Sequence, residues 1–246
     1  MTFVTTKLTG RLGNNAIQVM ACISHSIKHN IPYYIPSFVK SKYTRINPFD
    51  QFPLLTPELE AQIKYEHHDK GWHYTPIPHS AVPMRLHGYY QNLNYYDEYR
   101  QEIIKAFNLP KEIRYNECAI HIRLGDFARY PTKWPIMKPE YFTKAIEIMR
   151  ANGVNRFTVY SDEIENAKDY LPYGEYSFMS KDVLTDWIEI NSYEHQIIPN
   201  STFSYSAAYL KRSSGIVIAP KCEDWYGVDN AEIFNKEFLP LNWVKI

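Results

Sequence analysis

A chain of 246 residues is long enough for one large or two small α/β domains, each burying its own core. Hydrophobic residues at 45% and charged residues at 22% describe an ordinary soluble globular protein, and no apolar run approaches the ~20 residues of a membrane span. Lys+Arg and Asp+Glu both total 27, which excludes the basic excess of a nucleic-acid binder; any cation meant for a phosphate must be concentrated locally.

In chain order, Phe3–Lys7 predicts a short strand and Thr9–Asn14 a turn. Asn15–Lys28 predicts a helix, with Ile17, Met20, Ala21, Ser24 and Ile27 spaced by three and four. Ile31–Ile35 predicts a second strand and so closes a βαβ unit. Residues 36–85, rich in Pro, His and Tyr, read as loops and short elements that could face an acceptor. Tyr96–Phe107 predicts a helix and Leu109–Tyr115 a connector. Beyond it, strands are expected at Glu117–Ile122, Arg156–Tyr160, Ser177–Met179, Gln196–Ile198 and Gly215–Ala219. Helices are expected at Lys138–Ala151, Ile164–Tyr170, Val183–Ser192 and Phe203–Arg212. Asn152-Gly153 supplies a left-handed stop to the first of these. Alternating strands and helices imply parallel sheets covered on both faces. The domain boundary falls near residues 110–116, giving domains 1–112 and 113–246.

Three widely spaced cysteines, Cys22, Cys118 and Cys222, support neither a disulfide framework nor a zinc site; Cys22 and Cys118 read as small buried residues. With Met1 as the native start and no signal peptide before the first strand, a cytoplasmic location is expected. Tyrosine is abundant, at 21 residues, which suits sugar handling because the ring stacks and the hydroxyl bonds; the ordinary reading is core and surface tyrosine.

Four stretches carry candidate chemistry. In Gly10-Arg11-Leu12-Gly13-Asn14-Asn15 the glycines permit close backbone approach, Arg11 adds charge and a helix start attracts anions. It equally suits a tight turn capped by Asn14. His121-Ile122-Arg123-Leu124-Gly125-Asp126 follows the apolar run of a strand, where α/β sheets bind ligands. Arg123 offers a planar fork of donors to phosphate, or pairs with Asp126. Tyr160-Ser161-Asp162-Glu163 ends another strand and reads as a ligand contact or a helix cap. Asn200-Ser201-Thr202-Phe203-Ser204 carries more hydroxyls into a helix start than a bare cap needs, which points to phosphate oxygens.

Together and in this order the stretches resemble the α-1,2-fucosyltransferases, glycosyltransferase family 11. Gly10–Asn15 is similar to the family's Gly-Arg-Leu-Gly-Asn-Gln, and His121–Asp126 to its His-x-Arg-Arg-Gly-Asp. Ser161–Glu163 matches Ser-Asp-Asp/Glu, and Asn200–Ala208 matches Asn-Ser-Thr-Phe-Ser-Trp-Trp-Ala-Ala. Gly88–Asn92 resembles Gly-Tyr/Phe-Phe/Trp-Gln-Ser. The resemblance implies a GT-B-like α/β fold of two Rossmann-like domains facing across a cleft, acceptor side first and donor side second. It implies inverting, metal-independent transfer of L-fucose from GDP-fucose to a sugar hydroxyl of a glycan, α-1,2-linked. No metal or cofactor is expected.

By the same resemblance Arg123 holds the diphosphate, His121 and the Asn200, Ser201, Thr202, Phe203 loop line the nucleotide, and Asn14 lies near the reacting centre. Arg11, Gly13, Asp162 and His195 are further donor-side candidates, and Asp126 is the first candidate base. Three positions depart from the family pattern: Leu124 replaces the second Arg, Tyr205-Ser206 replace Trp-Trp, and Asn15 replaces Gln. The first two leave open a different nucleotide-sugar donor. A non-catalytic glycan- or nucleotide-binding module is the reading from another class.

Overall fold

The computed structural model describes residues 1–37, 49–69, 71, 73–227 and 237–246, and the chain divides into two compact units, Met1–Leu109 and Pro110–Ile246. In the first unit, strand β1 (Val4–Thr6) leads through α1 (Leu12–His29) to β2 (Tyr33–Tyr34). Helix α1 is buried along most of its length, and Ala16 to Ile23, the polar Gln18 included, are at most 1% exposed. Asn30 stops the helix in the left-handed conformation, φ 50°, shortly after Lys28, whose charge suits the helix C-terminus.

The stretch read as loops holds more order than its pattern suggested. Within its described residues lie α2 (Pro57–Glu60), β3 (Tyr65–His68) and β4 (Met84–His87); residues 38–48, 70 and 72 of that stretch lie outside them. Both strands are four residues long and rich in His, Glu and Arg, so one face is too polar for an apolar alternation to show. The sheet order is β2-β1-β4-β3, parallel throughout. The helix expected over Tyr96–Phe107 is α3 (Arg100–Phe107), preceded by 3-10 turns at Leu93–Tyr95 and Asp97–Tyr99.

The second unit contains β5 (Arg114–Ile122), α4 (Pro139–Ala151), β6 (Arg156–Ser161), α5 (Ile164–Ala167) and β7 (Ser177–Met179). Then come α6 (Val183–Ser192), β8 (Tyr193–Ile197), α7 (Thr202–Tyr209), β9 (Val217–Ala219) and β10 (Val244–Lys245). The order β10-β9-β8-β5-β6-β7 is again parallel, with β5 inside the sheet. Gly153 ends α4 at φ 84° as its position predicts, donating to the Arg150 carbonyl at 3.0 Å. Strand β8 begins earlier than expected, because α6 runs into it without a loop.

One face of this sheet buries Ile120, Ile122 and Val159 against Phe142, Ile146 and Met149 of α4. Each such side chain contributes roughly 1.5–3 kcal/mol by leaving water. Six tyrosines, Tyr90, Tyr96, Tyr160, Tyr193, Tyr205 and Tyr209, are among the largest fully buried side chains, so these serve the cores. The three cysteines are free. Among the described residues, no helix is long and apolar enough to cross a membrane.

Candidate active site

Three neighbouring strands, β8, β5 and β6, end side by side at the carboxyl edge of the second sheet, the ligand-binding edge of parallel α/β folds. The buried run Cys118–Ile122 carries β5 to that edge, and Arg123 leaves it there. A 3-10 turn, Gly125–Arg129, follows. The Arg123 guanidinium is 19% exposed and bridges two carboxylates: Nη1 meets Asp162 Oδ2 at 2.8 Å, and Nη2 pairs with Asp126. Its Cζ also lies 5.6 Å from the Phe127 ring centroid.

Asp162 reaches this corner from the end of β6, and its Oδ1 accepts the Leu124 backbone N–H at 3.1 Å. A Cβ at Gly125 would collide with the Asp162 carboxylate, so glycine there is what lets the two loops meet. The helix-cap reading of Ser161–Glu163 is not realised. Glu163 holds the N-cap position of α5 without a side-chain cap, while Ser161 Oγ accepts the Glu163 N–H at 3.0 Å.

His121, on β5, is 4% exposed and joins the corner to α7. Its Nδ1 lies 2.9 Å from Ser204 Oγ, and its ring sits 5.1 Å from that of Phe203. Ser204 Oγ also reaches the Ser201 carbonyl at 3.4 Å. Burial, and next the Arg123 charge, push the imidazole down to about 3, so it is neutral near pH 7.

The hydroxyl loop follows β8. Asn200 is buried, and its Nδ2 donates to the carbonyls of Pro135 at 2.9 Å and Trp225 at 3.0 Å. Its Oδ1 is buried with no hydrogen-bond partner among the described residues. Ser201 occupies the N-cap position of α7 but makes no side-chain cap bond, so the hydroxyls and first N–H groups stay available to an anion.

His195 is not brought to the corner. On β8 it pairs with Cys118, midway along β5; its Nδ1 accepts the Ile216 N–H at 3.1 Å, and its Nε2 lies 3.6 Å from Glu194. Burial lowers its pKa. The family departures also resolve into packing. Leu124 is 4% exposed in the core beside Ile122 and Met137. Tyr205 stacks on Phe238 at 4.2 Å and donates to its carbonyl at 3.0 Å, while Ser206 Oγ accepts the Trp187 indole N–H at 2.9 Å.

Arg11, Gly13 and Asn14 belong to the first unit. Arg11 takes the N-cap position of α1 and is exposed, while Gly13 and Asn14 lie in its first turn, so Asn14 is not the cap. Gly10, at φ 83°, has no room for a Cβ beside the Asn14 side chain. Asn14 Oδ1 accepts from Gln91 Nε2 at 2.9 Å, and Gln18 Nε2 donates to the carbonyls of Thr9 at 3.1 Å and Gly88 at 2.9 Å. Two separate motifs thus meet at the carboxyl ends of β1 and β4. Sequence reasoning missed Asp69, just past β3, whose Oδ2 accepts the Tyr90 N–H at 2.9 Å and whose carboxyl burial holds above its usual range. Its strand was hidden in the stretch read as loops.

Comparison with known proteins gives a consistent result. The sequence model of glycosyl transferase family 11 matches residues 1–246. An Escherichia coli alpha-1,2-colitosyltransferase is 29% identical, covering 100% of this chain and 99% of its own length. The rabbit (Oryctolagus cuniculus) galactoside alpha-(1,2)-fucosyltransferase 2 is 23% identical, covering 87% of this chain and 69% of its own. The structure of Arabidopsis thaliana FUT1 in complex with GDP shares the fold with a TM-score of 0.52 at 10% identity, over 88% of this chain and 70% of that one. With two parallel-sheet α/β units of the GT-B class and a family match along its whole length, the chain belongs to glycosyl transferase family 11 and is a glycosyltransferase.

Proposed function

We propose that this protein moves L-fucose from GDP-fucose to a sugar hydroxyl of a glycan, α-1,2-linked, with inversion and without a metal ion. The observation that carries the reading is Arg123 at the end of β5, held by Asp126 and Asp162 beside an uncapped helix start. The fucosyl- and colitosyltransferase relatives and the GDP-bound fold relative support the donor class. Two guanidinium N–H groups are spent on carboxylates, which leaves the others of the five for a diphosphate.

The chemistry is a single displacement. The acceptor hydroxyl oxygen bonds to the anomeric carbon as the bond from that carbon to the phosphate oxygen breaks; the GDP leaves with the electron pair, and the hydroxyl proton passes to water. Arg123, the Ser201 and Thr202 hydroxyls and the first N–H groups of α7 stabilise that charge. Asp126 is committed to Arg123, so we assign it, with Asp162, to orienting the guanidinium. Asn14, fixed by Gln91, is assigned to the acceptor side together with the first unit.

Arg123→Ala should keep its fold by circular dichroism and thermal melting, yet lose on the order of 3 kcal/mol of transition-state stabilisation, about a hundredfold in kcat/KM. Near-normal turnover would refute the assignment, and a requirement for added Mg²⁺ or Mn²⁺ would refute metal independence. A second reading, colitosyl transfer, is favoured by the relative that matches from end to end. Donor titration by thermal shift separates the two, because the better-bound GDP-sugar raises the melting temperature more.

A further inference from the structure

We propose that the first unit carries a zinc site on the outer face of its sheet, formed by Glu66, His68 and His87. It serves to tie the edge strand β3 to β4. Among the described residues these three form the group whose donor atoms, one from each, all fall within 4.8 Å of one another. The strand register makes the cluster. His68 pairs directly with His87 across the two parallel strands, and Glu66, two residues before His68, shares its face. His67, between them, turns inward, where its Nδ1 lies 3.1 Å from the Tyr90 hydroxyl.

Glu66 Oε2 lies 3.6 Å from His68 Nε2 and 4.0 Å from His87 Nδ1. Zinc bound to nitrogen and oxygen at roughly 2.0–2.2 Å sets tetrahedral ligands roughly 3.4 Å apart, so side-chain rotations close the site without backbone movement. His87 Nδ1 is buried and makes no hydrogen bond among the described residues, so it gives up none of those by taking a metal. The other carboxylate oxygen of Glu66 accepts from Arg85 Nη1 at 2.9 Å, which fixes the carboxylate, and Glu60 at 2.7 Å from Arg85 Nη2 offsets that cation. Two imidazoles and one carboxylate, with a fourth position open to water, suit zinc above magnesium or calcium. Lys7 adds a positive charge near His87, so moderate affinity is expected.

The test uses the full-length protein, stripped with a chelator and titrated with zinc against a chromophoric competitor. One zinc per chain is expected, with a rise in melting temperature on loading. His68→Ala and His87→Ala should each weaken binding at least tenfold and abolish that rise, while GDP-fucose binding, assigned to the second unit, stays unchanged. His68 is largely exposed, so His68→Gln provides a variant that leaves the sheet folded. Cobalt(II) should give a visible spectrum of nitrogen and oxygen ligands, without a thiolate band. No zinc uptake, uptake unchanged in the His68→Ala/His87→Ala protein, or a thiolate band would each overturn the site. Near-normal transfer by Arg123→Ala would refute the transfer assignment and leave the zinc result untouched, so the two readings fail separately.

Discussion

Arg123 shows how much a single residue's surroundings decide. Its position after an apolar strand announced a cation at a ligand-binding edge, and the structure adds two carboxylates that hold it there. A half-buried guanidinium without such partners would be costly, and with them its remaining donors are fixed in direction. Leu124, one residue on, had suggested a lost phosphate charge. It lies instead in the apolar core under α4, and only its backbone N–H faces Asp162. Leu124→Arg is therefore expected to lower stability by on the order of 3 kcal/mol or more, by forcing a charge into that core, and to bring no gain in donor affinity. Chemical denaturation and GDP-fucose titration of the same protein check both halves.

At the scale of elements, the site is a meeting of strand ends. The loop after β6 supplies Asp162, the 3-10 turn after β5 supplies Asp126, and Gly125 leaves the space between them. Gly125→Ala should push Asp162 off Arg123 and off the Leu124 N–H, costing about 1–3 kcal/mol in stability with a loss of donor affinity. Asp162→Ala removes the same bonds, so the double variant should be little worse than either single one. Full additivity in a double-mutant cycle would contradict the shared contact. The start of α7 depends on the same kind of join. Ser204→Ala would leave the buried His121 Nδ1 without its hydroxyl partner at a cost of about 1–3 kcal/mol, read as a lower melting temperature. Elements with strong periodicity or clear stops, such as α1, α4 and α6, were legible in the sequence. Strands β3 and β4 were not, because half of each faces outward with charged and imidazole side chains.

At the scale of the molecule, each unit buries a histidine whose charged form its surroundings oppose. In the first unit His25 is pushed down to about 3, chiefly by burial and then by His29, and in the second His121 is pushed down to about 3 by burial and then by Arg123. The unfolded chain protonates these groups near 6.5, so it binds more protons than the folded chain between about 3 and 6.5. Stability is full above that window and falls as pH drops through it, by roughly 1.4 kcal/mol per pH unit for each histidine. Melting temperatures measured from pH 7 down to pH 4 should fall, and His121→Gln should flatten the fall in the second unit; an unchanged slope would count against His121.

The sequence by itself determined the α/β class, the alternation of the second half, the order of the motifs and the phosphate-seeking character of Arg123 and the hydroxyl loop. These depend on local spacing and residue chemistry, which are properties of neighbours along the chain. Only the tertiary structure decided that Asp162 pairs with Arg123, that Leu124, Tyr205 and Ser206 pack into cores, that His195 lies away from the corner, and that Gln91 meets Asn14. Those facts depend on which strands lie side by side and in what register, and parallel strands joined through helices bring together residues whose separation in sequence carries no sign of the contact.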